Sequence, residues 1–82
     1  LIWFTLAAYN AGAGHVRDAI ELAKANGWRG DTWFGHVEKA MLLLSKKAHA
    51  SQARHGYVRG QEPVDYVYNI RKRFEAYKEI VK

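Results

Sequence analysis

Ala7-Ala8-Tyr9-Asn10-Ala11-Gly12-Ala13-Gly14-His15-Val16 decides how this chain folds. Residues 1–8 carry one polar side chain, Thr5, so a helix there is apolar nearly all round and is expected to be buried on most sides. Gly12 and Gly14 then permit a sharp reversal, because glycine reaches backbone conformations closed to other residues. The chain restarts as a second helix. Tyr9 and Asn10 fall at the end of the first one, where backbone carbonyls run out of helical partners. A polar pair at the end of a buried helix is well placed to line a cleft.

Downstream, Val16, Ala19, Ile20 and Ala23 recur at i, i+3, i+4 and i+7, one stripe of an amphipathic helix over about residues 14–26 that Asn26-Gly27 stops. Asp31-Thr32 offers a cap, and Trp33, Val37, Ala40, Met41 and Leu44 predict a third helix from about Thr32 to Leu44 or Ser45. Residues 46–60 hold no sustained period and carry Gly56 and Gly60, so they read as a loop with room for one helical turn. Its segment His55-Gly56-Tyr57-Val58-Arg59-Gly60 is either a binding strip or a cover that packs Tyr57 over the core. Pro63 suits a first helical position, and Pro63, Val67, Ile70, Phe74, Tyr77 and Val81 form the seam of a long last helix. Tyr66 and Asn69 are read as lying off the centre of that seam, one to either side. No strand alternation competes, so the fold class is all-α with about four helices.

At 82 residues the chain is at most one domain. The apolar run begins at Leu1 without a cap or an initiator methionine, which predicts that further chain precedes it. With no cysteine, neither a disulfide frame nor a thiolate metal site is available. The net charge of +5 is uneven: residues 46–82 hold nine basic and four acidic side chains, while the first 45 residues are balanced. That half is either a solvated face or a surface for an anionic partner. No apolar stretch reaches the roughly 18 to 20 residues of a membrane span.

The four histidines lack the i, i+4 spacing of a metal pair, so no metal site and no cofactor are predicted. Ser45 and Ser51 lie in no nucleophile motif. Of the carboxylates, Glu62 alone stands apart, at the head of the last helix beside the arginine-glycine loop. There it either compensates the helix dipole or takes part in chemistry. Tyr9, Asn10 and Tyr66 are either core and cap residues or a sugar-binding set, since aromatic faces stack on sugar rings and an amide both donates to and accepts from an acetamido group.

Two ordered motifs turn that choice into a resemblance. Ala8-Tyr9-Asn10-Ala11-Gly12 with Gly14-His15-Val16, and Gly56-Tyr57-Val58-Arg59-Gly60-Gln61-Glu62 with Tyr66-Val67-Tyr68-Asn69-Ile70, resemble the C-terminal part of the catalytic domain of the soluble lytic transglycosylases. Trp3-Phe4-Thr5-Leu6 and Leu42-Leu43-Leu44-Ser45 look most like the membrane-bound branch of that family. The resemblance implies a lysozyme-like helical domain that cleaves the β-1,4 bond between N-acetylmuramic acid and N-acetylglucosamine, leaving a 1,6-anhydromuramyl end. In that chemistry one glutamate serves as acid and then base, and the substrate acetamido group assists.

Carried over by motif, Tyr9 and Asn10 line the sugar cleft, Tyr66 supports the acid or orients the substrate, and Arg59 and Glu62 sit in the loop that leads to it. The family's glutamate-serine and glycine-leucine-methionine motifs have no counterpart here, so residues 1–82 are expected to be the C-terminal half of the catalytic domain, without the acid and inactive alone. Met41, His49-Ala50 and Phe74 also depart from the branch pattern. The implied partners are peptidoglycan strands and the N-terminal part of the same domain, not nucleic acid, and a membrane only through an anchor outside the chain. The implied location is the bacterial periplasm, at the outer membrane. Without the resemblance two alternatives stand: a non-catalytic glycan-binding remnant, or a small basic module placing Arg54, Arg59, Arg71, Lys72 and Arg73 on nucleic-acid phosphates.

Overall fold

The computed structural model describes residues 2–81. The chain folds as α1 (Ile2–Ala11), α2 (Ala13–Ala25), α3 (Glu38–Leu43), the single turn α4 (Lys47–Ala50) and the long α5 (Gln61–Val81). Among the described residues there is no strand, so the fold is all-α.

Gly12 alone makes the break between α1 and α2. Its φ of 101° is open to glycine, and its N–H still donates to the Ala8 carbonyl at 2.7 Å, so a single residue separates the helices. Gly14, expected to share the reversal, lies inside α2. A side-chain carbon there would come within 2.8 Å of the His55 ring, so this glycine lets the 46–60 loop lie on the helix. Asn26-Gly27 stops α2 as its composition dictates: the Trp28 N–H reaches back to the Ala23 carbonyl at 2.9 Å and the Gly27 N–H to that of Lys24 at 3.0 Å.

The third helix is regular only from Glu38. Thr32 makes no side-chain cap, because Asp31 takes the Arg29 guanidinium and the Thr32 hydroxyl instead. Trp33–Val37 is a wide turn in which Phe34 is extended and Gly35 has a φ of 78°. The Glu38 carboxylate accepts the Gly35 N–H at 2.8 Å and starts the helix. The turn sends Trp33 into the core and Phe34 toward α1, edge-on to Trp3 at 5.4 Å.

Ala7, Val16, Ala19, Ala23, Trp33, Val37, Ala40, Met41, Leu44 and Val67 form one core. Gly60 lets the start of α5 touch the Met41 carbonyl, where a side-chain carbon would collide with the backbone. Pro63 is the third residue of α5, still within the first turn where a missing N–H costs nothing.

Two expectations about surfaces change. α1 is less enclosed than its composition implies, with Ala7 as its one fully buried residue and Ile2, Thr5, Tyr9 and Asn10 exposed. It packs on α2 and α5 and touches the 33–37 turn through Trp3 and Phe4, while Ile2 and Tyr9 stay exposed. The α5 seam is buried at Pro63 and Val67, but every described residue from Arg71 onward is exposed. Tyr66 and Asn69 share one side of that seam, because three residues of helix leave them about 60° apart.

Candidate functional site

α1 and α5 run against each other, and their contact brings together residues distant in sequence. The ring of Tyr9, in the last turn of α1, stacks on that of Tyr66, in the second turn of α5, with centroids 6.4 Å apart and planes 29° from parallel. Tyr66 is half-buried beside the core, whereas Tyr9 is 82% exposed. Asn10 follows Tyr9 on the same turn. Its side chain is exposed and makes no hydrogen bond among the described residues, so its donor and acceptor both remain for a ligand.

Glu62 precedes Tyr66 by one turn and shares its face of α5. Its N–H donates to the Arg59 carbonyl at 3.0 Å, and its carboxylate lies 3.6 Å from the Arg59 guanidinium. Both side chains are exposed, so the ion pair itself adds little to stability. The α1–α5 contact thus joins Tyr9 to Tyr66, with Asn10 next to Tyr9 in sequence and the Arg59–Glu62 pair at the entry to α5. The two stacked rings make an open aromatic shelf on the surface.

The larger grooves lie elsewhere. One of about 480 Å³ runs between α1 and α2, lined by Phe4, Thr5, Ala8, Val16, Arg17 and Asp31 among others. Hydrogen bonds from Arg29 first, then Thr32, hold the Asp31 carboxyl well below the usual carboxylate range. That favours a permanent anion over a proton donor there.

None of the carboxylates among the described residues is buried. The described residues contain no group of three His, Asp or Glu side chains able to hold a metal. His15 and His55 do approach, edge-on with centroids 6.4 Å apart, a contact the sequence spacing gave no hint of. The 46–60 loop brings His55 there, its N–H donating to the Asp18 carboxylate at 2.7 Å.

Three of the five cations considered for nucleic acid have neighbours of their own. Arg59 is paired with Glu62, Arg71 lies over the Phe34 ring at 4.2 Å, and Arg54 sits in a groove with Asp18 and Glu21. Lys72 and Arg73 line one shallow depression on α5.

An all-helical chain whose two motif tyrosines meet at a helix contact fits a segment of a lytic transglycosylase, and similarity to known proteins agrees. The relatives carry the name membrane-bound lytic murein transglycosylase F. That of Vibrio vulnificus is 47% identical over 75 residues, 92% of this chain, and that of Hahella chejuensis 49% over 74 residues, 90% of it. The Pseudomonas fluorescens protein is 48% identical over 73 residues. Over this segment the chain is a lytic transglycosylase homologue, as its motifs imply. It spans 14 to 15% of the length of these relatives. No family model matches the chain.

Proposed function

We propose that this chain forms one wall of the glycan cleft of a peptidoglycan lytic transglycosylase. Tyr9 and Tyr66 supply the aromatic surface for an N-acetylated sugar, and Asn10 holds its acetamido group. The stacked pair at the end of α1 carries this reading, because it joins the two motifs at one place on the surface.

The reaction cleaves the β-1,4 bond between N-acetylmuramic acid and N-acetylglucosamine. A carboxylic acid protonates the departing oxygen, and the muramyl 6-hydroxyl then closes on the anomeric carbon, giving its proton back to the same carboxylate. An acid of this kind is kept protonated by an apolar pocket. The carboxylates described here lack such a pocket, so the acid belongs to another segment of the parent protein, which faces the shelf and makes it a cleft. That segment packs at the start of α1, where Ile2 is 62% exposed. Tyr66 presents its hydroxyl at the junction, where it orients the acid or the substrate, and the Arg59–Glu62 pair sits where the loop enters the helix that carries it. The chain alone binds glycan without cutting it, and the parent works in the periplasm on the cell wall.

Retention on purified peptidoglycan sacculi tests the reading against the nucleic-acid alternative. Retention that weakens in Asn10→Ala and Tyr66→Phe supports the cleft. Binding to duplex DNA with a steep salt slope, and no retention on sacculi, supports the basic module instead.

A further inference from the structure

We propose that Asn69, Lys72 and Arg73 form a carboxylate-binding site for the anionic peptide borne by the same glycan strand. The proposal rests on the reading of Tyr9, Asn10 and Tyr66 as the sugar shelf. Asn69, Lys72, Arg73 and Ala76 line a shallow depression of about 350 Å³ on α5. Tyr66, Asn69 and Arg73 stand at i, i+3 and i+7, so the depression continues the face of α5 that carries the shelf. Ala76, with its single methyl, keeps the floor low.

The charges of the depression are unspent. Lys24, Arg29, Arg59 and Lys78 each pair with a carboxylate, and Arg71 lies over Phe34, but neither Lys72 nor Arg73 has an ion pair among the described residues. A guanidinium offers two parallel donors to a carboxylate, the lysine adds a point charge, and the Asn69 amide donates from the side. That donor set suits a planar monoanion.

Distance selects the ligand. Seven residues of helix place Arg73 about 10 Å along the axis from Tyr66. A muramyl sugar carries its peptide on a lactyl ether, and about three extended units, the lactyl group and two amino acids, also span roughly 10 Å. A sugar seated on Tyr9 and Tyr66 therefore delivers the first free carboxylate of its peptide to Arg73.

The test measures binding of the chain to soluble glycan strands, with peptides intact or removed by an amidase. Peptide-bearing strands are expected to bind about fivefold tighter at low salt, the size of one good exposed ion pair. Arg73→Gln removes that advantage without changing affinity for bare strands, whereas Lys46→Gln, which deletes the same charge elsewhere, keeps it. Equal affinity of the native chain for both strands overturns the site and leaves the shelf standing, as does an advantage that survives Arg73→Gln combined with Lys72→Gln. Bare strands that fail to bind overturn the shelf, and the site with it. Duplex DNA bound as tightly as peptide-bearing strands at equal salt overturns the selectivity claimed here.

Discussion

The Tyr9 ring lies over the Tyr66 ring, 57 residues away in sequence, with centroids 6.4 Å apart. Tyr66 is braced by the core, while Tyr9 has little else around it, so the two contribute differently to stability and to binding. Tyr9→Ala is expected to cost at most about 1 kcal/mol of stability, the value of one exposed aromatic pair. The same change is expected to weaken glycan binding by roughly fivefold to tenfold. Paired urea melts and glycan titrations check this, and a large stability loss with unchanged binding would make Tyr9 a structural residue.

Gly60 has less room for a side chain than the other glycines among the described residues. Because a side-chain carbon there meets the Met41 carbonyl, Gly60→Ala forces the start of α5 away from α3 and is expected to cost at least about 2 kcal/mol. Denaturant unfolding measures it. A change under about 0.5 kcal/mol would show that the two backbones separate freely.

Asp18 ties the 46–60 loop to α2 through the His55 N–H at 2.7 Å. Asp18→Ala is expected to cost about 1 to 2 kcal/mol, as for a hydrogen bond to a charged acceptor, and to raise amide exchange at His55 first. Exchange that rises equally throughout the chain would argue against a local tie.

The Arg29–Asp31 pair gives a pH dependence of definite sign. The folded state holds the Asp31 carboxyl below its ordinary value of 3.8, so between the two values the unfolded chain binds more protons, and stability falls as the solution is acidified. The stability difference between the native chain and Asp31→Asn is therefore full at neutral pH and shrinks below about pH 4. A difference that grows toward acid would contradict the assignment. Both side chains are exposed, so the effect is small and salt-sensitive.

Much of this was legible in the residues. The α2 stripe and its Asn26-Gly27 stop follow from local rules, and α2 has its expected bounds because both signals act within one turn of the helix end. The third helix was overextended because Trp33, Val37, Ala40 and Met41 keep a helical period through a segment that is not helical. Gly35 at positive φ and the Glu38 carboxylate override that period. The break at Gly12 was visible, but the role of Gly14 was not, since it depends on His55 arriving from a loop 41 residues on. The meeting of Tyr9 with Tyr66 followed from motif resemblance rather than spacing, because no periodicity says how α1 and α5 cross. The exposure of α1 was misjudged for a related reason: composition tells how apolar a helix is, and packing decides which of its flanks finds a neighbour.

The most direct test is an NMR titration of the labelled chain with a soluble oligosaccharide of N-acetylated amino sugars. The shifts are expected to concentrate on the Asn10 side-chain amide and the Tyr9 and Tyr66 rings, and to disappear in Asn10→Ala. Shifts confined to the α1–α2 groove around Phe4, Thr5 and Arg17, or none at all, would contradict the assignment of the sugar shelf.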